Sequence, residues 1–338
     1  MPNDIIDIVE AAYDVERTES SWLENLVRAA TPSLDHGLGV VGYVYDASDL
    51  DEVKVGSFHS DLRAPVLSSR EQVQALIRHS DPTYVQRTWR GLPCSTISET
   101  PDIEEQPGYT AMRALGLHDA LVINGIDPTW HGCWLGAFLP EVTKLAPEVA
   151  ARWARIAAHI ASGFRVRRKL EQLEQLEQLN ATNGAEAILS PGGKVIHAEE
   201  AAASKAARDS LREAAIAIDR ARTKGRRARA DSVDEWKGLV AARWTIVDHF
   251  ENDGRRYLCA RRNDALPEKD TGLTDREFQV TAFLSLGHTT KLIAYELGIS
   301  ASTVRVLVGR ASAKLGANTR AELVTAFQRG AFTLARKS

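Results

Sequence analysis

Cysteine is scarce in this sequence of 338 residues, which contains only three. Cys94, Cys133 and Cys259 are odd in number and far apart, so the sequence predicts no disulfide framework and no metal site. It also lacks any run near the roughly 20 apolar residues that a membrane span needs, and it begins with acidic residues where a signal peptide is basic and apolar. We therefore expect a cytoplasmic protein with no membrane contact.

An excess of basic charge is absent as well, because 42 Lys and Arg stand against 45 Asp and Glu, for a formal net charge of −3. This balance argues against coating nucleic acid along the whole surface, so any nucleic-acid contact must be local. The sequence has no glycine-rich phosphate loop, no G-x-S-x-G elbow and no His-x-x-x-His pair. We therefore expect a protein that is not an enzyme and that needs no cofactor.

The first half of the chain alternates between helical and strand-like hydrophobic periods. The predicted elements are a helical opening over 5–30 that Thr31-Pro32 closes, a hairpin of 39–45 and 52–58, a helix from Ser69 to about Arg90, a hairpin of 120–126 and 133–139, and a helix from Pro147. This order predicts an α+β domain over residues 1–168.

A helical linker is predicted over residues 169–182, which contain LEQLEQLEQL with leucine at every third position. A three-residue period drifts around a helix of 3.6 residues per turn, so the leucines share one seam for about three turns. Two interpretations stay open: a solvated helix that covers a neighbouring domain, or a parallel rod from Leu170 to Leu179 that dimerises and transmits a signal.

A second, smaller α+β domain is predicted over residues 183–262. Two hairpins turn at Pro191-Gly192-Gly193 and at Asn252-Asp253-Gly254, and an Ala-rich helix over 199–221 lies between them. The TKGRRARA segment that follows this helix contains Arg226, Arg227 and Arg229 and is interpreted as a solvated loop, with auxiliary DNA contact as the alternative. The polar stretch over 263–272 contains Pro and Gly and is the predicted second linker.

Residues 273–338 have a helical pattern throughout. Thr274 with Glu277 three residues later predicts a capping box, and a short second helix is predicted to end at Gly298. Ser300 then caps a third helix, so Gly298-Ile299-Ser300 forms the turn of a helix-turn-helix motif, whose second helix enters the DNA major groove.

The ordered set LT-x-RE, KLIAYELGIS, STVR, KLGA and TRAELV resembles the LuxR-type DNA-binding domain, also called GerE-type or NarL-type, over about 55 residues. This resemblance implies an all-α domain of four helices and a transcription regulator that binds double-stranded DNA. It also implies that the exposed positions of the third helix contact DNA, with lysines on the phosphates. Carried over to this sequence, these DNA-binding residues are Lys291, Ser302, Thr303, Arg305, Val306, Gly309, Arg310 and Lys314.

Local charge agrees with this interpretation, because residues 273–338 contain nine Lys and Arg against four Asp and Glu, a local charge of +5 on a chain whose remainder carries −8. Arg305 and Arg310 are the strongest candidates for base contacts, since Arg grips guanine with two hydrogen bonds. The sequence departs from the family at Leu307, where His is frequent, and at Gly309, where a long polar residue is common. Gly309 predicts a less stable helix that reads fewer bases.

The order of elements in residues 1–168 resembles a GAF sensory domain, and residues 183–262 resemble a degenerate PAS domain, with neither ligand identified. Trp130, Trp134 and Phe138 form either an aromatic wall for an organic effector or an ordinary core face. We expect a small-molecule effector or a protein partner to modulate DNA binding.

We also expect a homodimer on DNA, because Leu323, Val324 and Phe327 lie on a C-terminal helix, Arg320 to Phe332, with little else to bury against. Two other functions stay open. One is a sensory or scaffold protein with a weakened DNA-binding domain that acts by protein contacts, and the other is an enzyme with an unrecognised site in the first domain.

Overall fold

The structure is a computed structural model that describes residues 5–49, 51–63, 67–175, 185–223, 232–240, 243–250, 256–263 and 272–335. These residues form two five-stranded antiparallel sheets, with helices around them, and a C-terminal helical region. Among them no single helix is long and apolar enough to cross a membrane. One bent pair, Thr290–Leu297 with Ala301–Leu315, passes that test only when its helices are joined.

The first sheet has the strand order β2-β1-β5-β4-β3. Its strands are β1 (Val40–Asp46), β2 (Lys54–Ser60), β3 (Cys94–Thr96), β4 (Asp119–Ile126) and β5 (His131–Leu139). Both predicted hairpins are confirmed, since β1 pairs with β2 and β4 with β5 in antiparallel register. The short edge strand β3, which sequence reasoning missed, pairs with β4.

Helices cover both faces of this sheet. One face carries α1 (Ile5–Ala12), α2 (Glu19–Leu34) and α6 (Pro147–Gln175), and the other carries α3 (Arg70–His79), α4 (Pro82–Trp89) and α5 (Pro107–Ala114). Strand alternation in β5 sends Cys133 and Leu135 to the first face, and Trp134 and Phe138 to the second. The centre of the sheet is therefore buried on both sides, which explains why every residue of β4 is buried.

Three helix boundaries differ from the predictions. The opening is two helices, because Thr18 caps a separate α2 after the break that follows Ala12. The stop at Thr31-Pro32 is wrong, since Pro32 lies in the last turn of α2, where its missing N–H removes a single bond. The helix predicted from Ser69 to Arg90 is α3 and α4, because Asp81 caps a new helix with Pro82 in its first turn.

The second sheet has the strand order β7-β6-β10-β9-β8. Its strands are β6 (Ala185–Leu189), β7 (Val195–Ala198), β8 (Leu239–Val240), β9 (Trp244–Phe250) and β10 (Arg256–Arg262), with α7 (Lys205–Ala221) and the short α8 (Ser232–Glu235) beside them. Both predicted hairpins are confirmed. The helix starts later than predicted, because the Ser204 hydroxyl caps α7. Arg226, Arg227 and Arg229 lie outside the described residues.

The two sheets share one apolar core, in which buried residues of α1, α2 and α6 pack with those of β6, β9 and β10. Helix α6 is continuous across the predicted boundary at residue 168. Arg222 at the end of α7 pairs with Glu10 of α1 at 2.6 Å and with Asp248 of β9. The division at residues 168, 182 and 262 stays a prediction, and 176–182 and 264–271 of the two linkers lie outside the described residues.

The C-terminal region contains α9 (Asp275–Ser285), α10 (Thr290–Leu297), α11 (Ala301–Leu315) and α12 (Arg320–Ala335). The predicted capping box of Thr274 and Glu277 is confirmed, and the predicted cap of α11 at Ser300 is also present. Gly298 and Gly316 end α10 and α11 in the left-handed conformation that favours glycine.

Candidate nucleic-acid interface

Helices α10 and α11 have the geometry of a helix-turn-helix motif. They bend by 106° at the break between them, within the roughly 90–120° typical of such a pair. Gly298, at φ 60° and ψ 36°, reverses the chain, and the Ile299 N–H donates to the Ala294 carbonyl at 3.0 Å. The Ser300 hydroxyl then accepts from the Thr303 N–H at 3.0 Å and begins α11. This turn fixes the direction in which α11 leaves the domain.

A small apolar core supports the motif from beneath. Val304 and Ala311 of α11 are fully buried, while Ile293 of α10 and Val280 of α9 pack in the same cluster. Val304 and Ala311, about two turns apart, therefore point inward with Leu307, Val308 and Leu315 packed beside them, and the exposed positions of α11 are available for contacts outside the domain.

Helix α12 completes this core. The ring of Phe327 meets that of Phe278 edge-on at 5.0 Å, and Leu323 is fully buried. The expectation that these apolar residues have little else to bury against is therefore wrong, because α9 already covers Leu323 and Phe327. The apolar residues of α12 therefore no longer support a homodimer, which stays a prediction.

The outer face of α11 carries most of the residues that the sequence assigned to DNA contact. Six of them are exposed and lie together on this helix: Ser302, Thr303, Arg305, Val306, Gly309 and Arg310. Val306 is 52 % exposed although it is apolar, and an exposed apolar side chain beside Arg suits the methyl group of thymine in a major groove. The Ser300 hydroxyl lies 2.7 Å from that of Ser302 and 2.8 Å from that of Thr303, which orders the first turn.

The two lysines of the predicted site differ. Lys291 is exposed in the first turn of α10. Lys314 donates to the Glu277 carboxylate at 2.7 Å, and that carboxylate also accepts from the Thr274 N–H at 2.9 Å. The hydrogen bond from Lys314 and that from the Thr274 backbone lower the pKa of Glu277, whose side chain is buried. Lys314 thus joins α11 to α9, and its charge is already neutralised within the domain.

Sequence reasoning missed a second set of polar residues, which lies where α10 meets the rest of the chain. The Tyr295 hydroxyl of α10 contacts His159 Nε2 of α6 at 2.5 Å and donates to the Val233 carbonyl at 2.8 Å. The Tyr13 hydroxyl contacts Nδ1 of the same imidazole at 2.9 Å. The only sequence signal was that Tyr295 falls between the apolar positions that face the domain's own core.

A cavity of about 430 Å³ lies on the α3–α5 face of the first sheet, within the size range of small-molecule sites. Trp134 and Phe138 of β5 form part of its floor, and Tyr84 and Tyr109 are among its walls. Trp130 does not line it and instead lies under the Arg90 guanidinium at 4.1 Å. Two of the three predicted aromatic wall residues therefore meet at one cavity. Its described lining includes His79 but no Asp, Glu, Lys or Arg.

The cysteines are all buried, and burial raises the pKa of the Cys94 thiol to about 12 and that of Cys259 to about 11. Within the part of the chain that the structure describes, no group of three or more His, Cys, Asp or Glu is arranged to hold a metal ion.

The turn, the caps and the exposed third helix define a helix-turn-helix domain. Residues 271–327 match the model of the family described as GerE, bacterial regulatory proteins, luxR family, so this segment is a LuxR-type domain. Over 62 residues the chain is 44% identical to the HTH-type transcriptional activator RamA of Corynebacterium glutamicum, across 18% of this chain and 22% of RamA. Over 66 residues it is 41% identical to the transcriptional regulatory protein YdfI of Bacillus subtilis, across 19% of this chain and 31% of YdfI.

The chain spans less than a third of the length of these curated relatives. Among solved structures, Escherichia coli SdiA aligns over 92% of this chain and 91% of its own, with 12% identity and a TM-score of 0.31. SdiA in complex with octanoyl-rac-glycerol aligns over 93% and 90%, with 12% identity and a TM-score of 0.29. Scores this low support no argument about the N-terminal sheets.

Proposed function

We propose that the protein is a sequence-specific DNA-binding regulator of transcription that reads the major groove with α11. The observation that carries this proposal is the exposed outer face of α11, with Arg305, Val306 and Arg310 on a completed helix-turn-helix. Arg305 and Arg310 supply bidentate donors to guanine, Val306 contacts a thymine methyl group, and Lys291 contacts phosphate. Ser302 and Thr303 contact the sugar-phosphate backbone of the DNA. Gly309 has no side chain and therefore contacts no base. Lys314 orients α11 through Glu277.

The N-terminal residues are proposed to sense an effector, with a GAF-like domain over 1–168 and a PAS-like domain over 183–262. The cavity above Trp134 and Phe138 supports this assignment. Because the described lining is mostly apolar and contains no Asp, Glu, Lys or Arg, the effector is a largely apolar small molecule. The protein is proposed to act as a homodimer, with an interface other than the buried Leu323 and Phe327.

Genome-wide mapping of the DNA that the protein occupies tests this function. Sites enriched upstream of genes are expected for the native chain, and Arg305→Ala is expected to lose them because it removes a base-reading side chain from an exposed position. Lack of enriched sites in the native chain, or an unchanged profile in Arg305→Ala, would contradict the proposal. Such a result would favour a scaffold that acts through protein contacts.

A further inference from the structure

A hydrogen-bonded series of four polar groups joins the LuxR-type domain to helices that pack beside the two N-terminal sheets. It runs from the Tyr13 hydroxyl through the His159 imidazole and the Tyr295 hydroxyl to the Val233 carbonyl, with separations of 2.9, 2.5 and 2.8 Å. Tyr13 follows α1, His159 lies in α6, Tyr295 lies in α10 and Val233 lies in α8. Groups from the N-terminal residues, from α6, from α8 and from the LuxR-type domain thus meet at one place in the fold.

The direction of these hydrogen bonds follows from the number of protons. A carbonyl only accepts, so the single proton of the Tyr295 hydroxyl goes to Val233, and the Tyr295 oxygen accepts from His159 Nε2–H. Burial lowers the pKa of His159 to about 3, so the imidazole is neutral and its Nδ1 accepts from the Tyr13 hydroxyl. Each of these four groups then has a hydrogen-bond partner.

Neighbouring contacts hold the same junction. Tyr295 meets the His159 ring edge-on at 5.5 Å, and the Arg155 guanidinium lies 5.9 Å from the Tyr295 ring while it pairs with Asp234 at 2.5 Å. Tyr13 stacks on Trp236 at 6.3 Å. His159 is fully buried and Val233 is too, so no water replaces Tyr295 without opening the junction.

The junction leaves the reading surface open. Tyr295 docks α10 on α6 and α8, while Arg305, Val306 and Arg310 on α11 remain exposed. The contacts of Tyr295 therefore fix the position of α11, the proposed recognition helix, without covering its exposed face.

We propose that the Tyr13–His159–Tyr295–Val233 chain is a latch that fixes the DNA-binding domain on the N-terminal body, and that regulation acts by opening this latch. The latch itself stands on the geometry above, whereas its regulatory role rests on the proposed function. Opening it lets the domain change its position relative to the body, so a signal in the body alters how α11 is presented to DNA.

The test measures the distance between the domain and the body in the full chain. Spin labels are attached to Ala151→Cys on α6 and Ala313→Cys on α11, both exposed positions, whereas the three native cysteines are buried. The distance distribution is recorded across a urea series below the unfolding transition. Tyr295→Phe keeps the ring and removes the hydroxyl, and Tyr257→Phe, on β10, is the matched control.

We expect one narrow distance in the native chain and in Tyr257→Phe. Tyr295→Phe leaves the His159 N–H unpaired and leaves the Val233 carbonyl with the longer, 3.3 Å hydrogen bond from the Trp236 N–H. This loss shifts the docking equilibrium toward release by about 5- to 150-fold. The distance distribution of Tyr295→Phe should therefore broaden at a lower urea concentration than that of the native chain. Tyr13→Phe should have a smaller effect, because it leaves the bond between His159 and Tyr295 intact.

An unchanged urea midpoint for Tyr295→Phe, or a broad distribution in the native chain without urea, would overturn the latch. DNA binding is measured separately on the unlabelled native and Tyr295→Phe chains, because position 313 lies on the same face of α11 as Arg310. If the native chain shows the narrow distance and its release by Tyr295→Phe but binds no DNA, the latch stands and the proposed function fails.

Discussion

Replacing Lys314 by Met should destabilise the LuxR-type domain at neutral pH. The substitution removes a 2.7 Å hydrogen bond to Glu277 and leaves a carboxylate that is only 4% exposed without its cation. A charge-assisted hydrogen bond contributes about 1.5–3 kcal/mol, but the 40% exposure of Lys314 screens the pair. We therefore expect a loss of about 1–2 kcal/mol, since exposed pairs contribute about 0–1 kcal/mol.

The loss should depend on pH. Lys314 and the Thr274 N–H hold the pKa of Glu277 below its ordinary value. Stability from this carboxylate is therefore present above its unfolded pKa and disappears as the pH falls through the lowered folded pKa. The native chain and Lys314→Met should differ at pH 7 and converge in acid, where Glu277 is protonated in both.

Hydrogen exchange of the α9 and α11 amides is the assay, because the described part of this domain contains no tryptophan. Lys314→Met should speed exchange by about 5- to 30-fold at pH 7, the factor that corresponds to the expected loss. Lys291→Met removes an exposed lysine and should leave exchange unchanged. Equal protection in Lys314→Met and the native chain, or an equal loss at pH 7 and in acid, would contradict a stabilising pair between Lys314 and Glu277.

Three further outcomes are expected. Gly309→Ala should stabilise α11 by up to about 1 kcal/mol in hydrogen exchange, because its new Cβ meets no atom within 4 Å, whereas Gly316→Ala, at φ +65°, should destabilise it. His159 has a pKa of about 3 in the folded state against 6.5 when unfolded, so the free energy of unfolding should fall by about 1.4 kcal/mol per pH unit as the pH falls from 6.5 to 3. Urea unfolding of His159→Gln should lack this contribution to the pH dependence. Quenching of tryptophan fluorescence should show that 1-aminonaphthalene binds near Trp134 at least about 10-fold more tightly than 1-naphthalenesulfonate, because the described lining offers no Lys or Arg to compensate the buried sulfonate charge. Equal affinities would contradict a largely apolar site.

Local signals were sufficient for much of the fold. Thr274 and Ser300 are capping residues whose chemistry acts over three or four neighbours, so the starts of α9 and α11 were readable from the sequence. Pro32 was misread because proline is tolerated where only one hydrogen bond is lost, and that depends on where the rest of the helix ends. The strand β3 is three residues long and is defined by its partner β4, not by its own pattern.

The candidate site also contains some features that local sequence predicts and others that depend on tertiary contacts. Exposure of Arg305 and Arg310 follows from the helical period around the buried Val304. The pairing of Lys314 with Glu277 joins residues 37 positions apart, and that of Tyr295 with His159 joins residues 136 apart. No local period encodes such contacts, so they became visible only when α9, α10 and α6 were placed in space.

Competition binding shows whether α11 recognises specific bases. The native chain, Arg305→Ala and Lys291→Ala are each compared on a selected DNA site and on random DNA at several salt concentrations. Arg305→Ala should lose about 1–3 kcal/mol on the selected site and less on random DNA, because a bidentate base contact discriminates between sequences. Lys291→Ala should weaken binding to both alike and lower the salt slope by about one unit. Equal losses on both DNAs for Arg305→Ala would contradict the assignment of α11 as the reading helix.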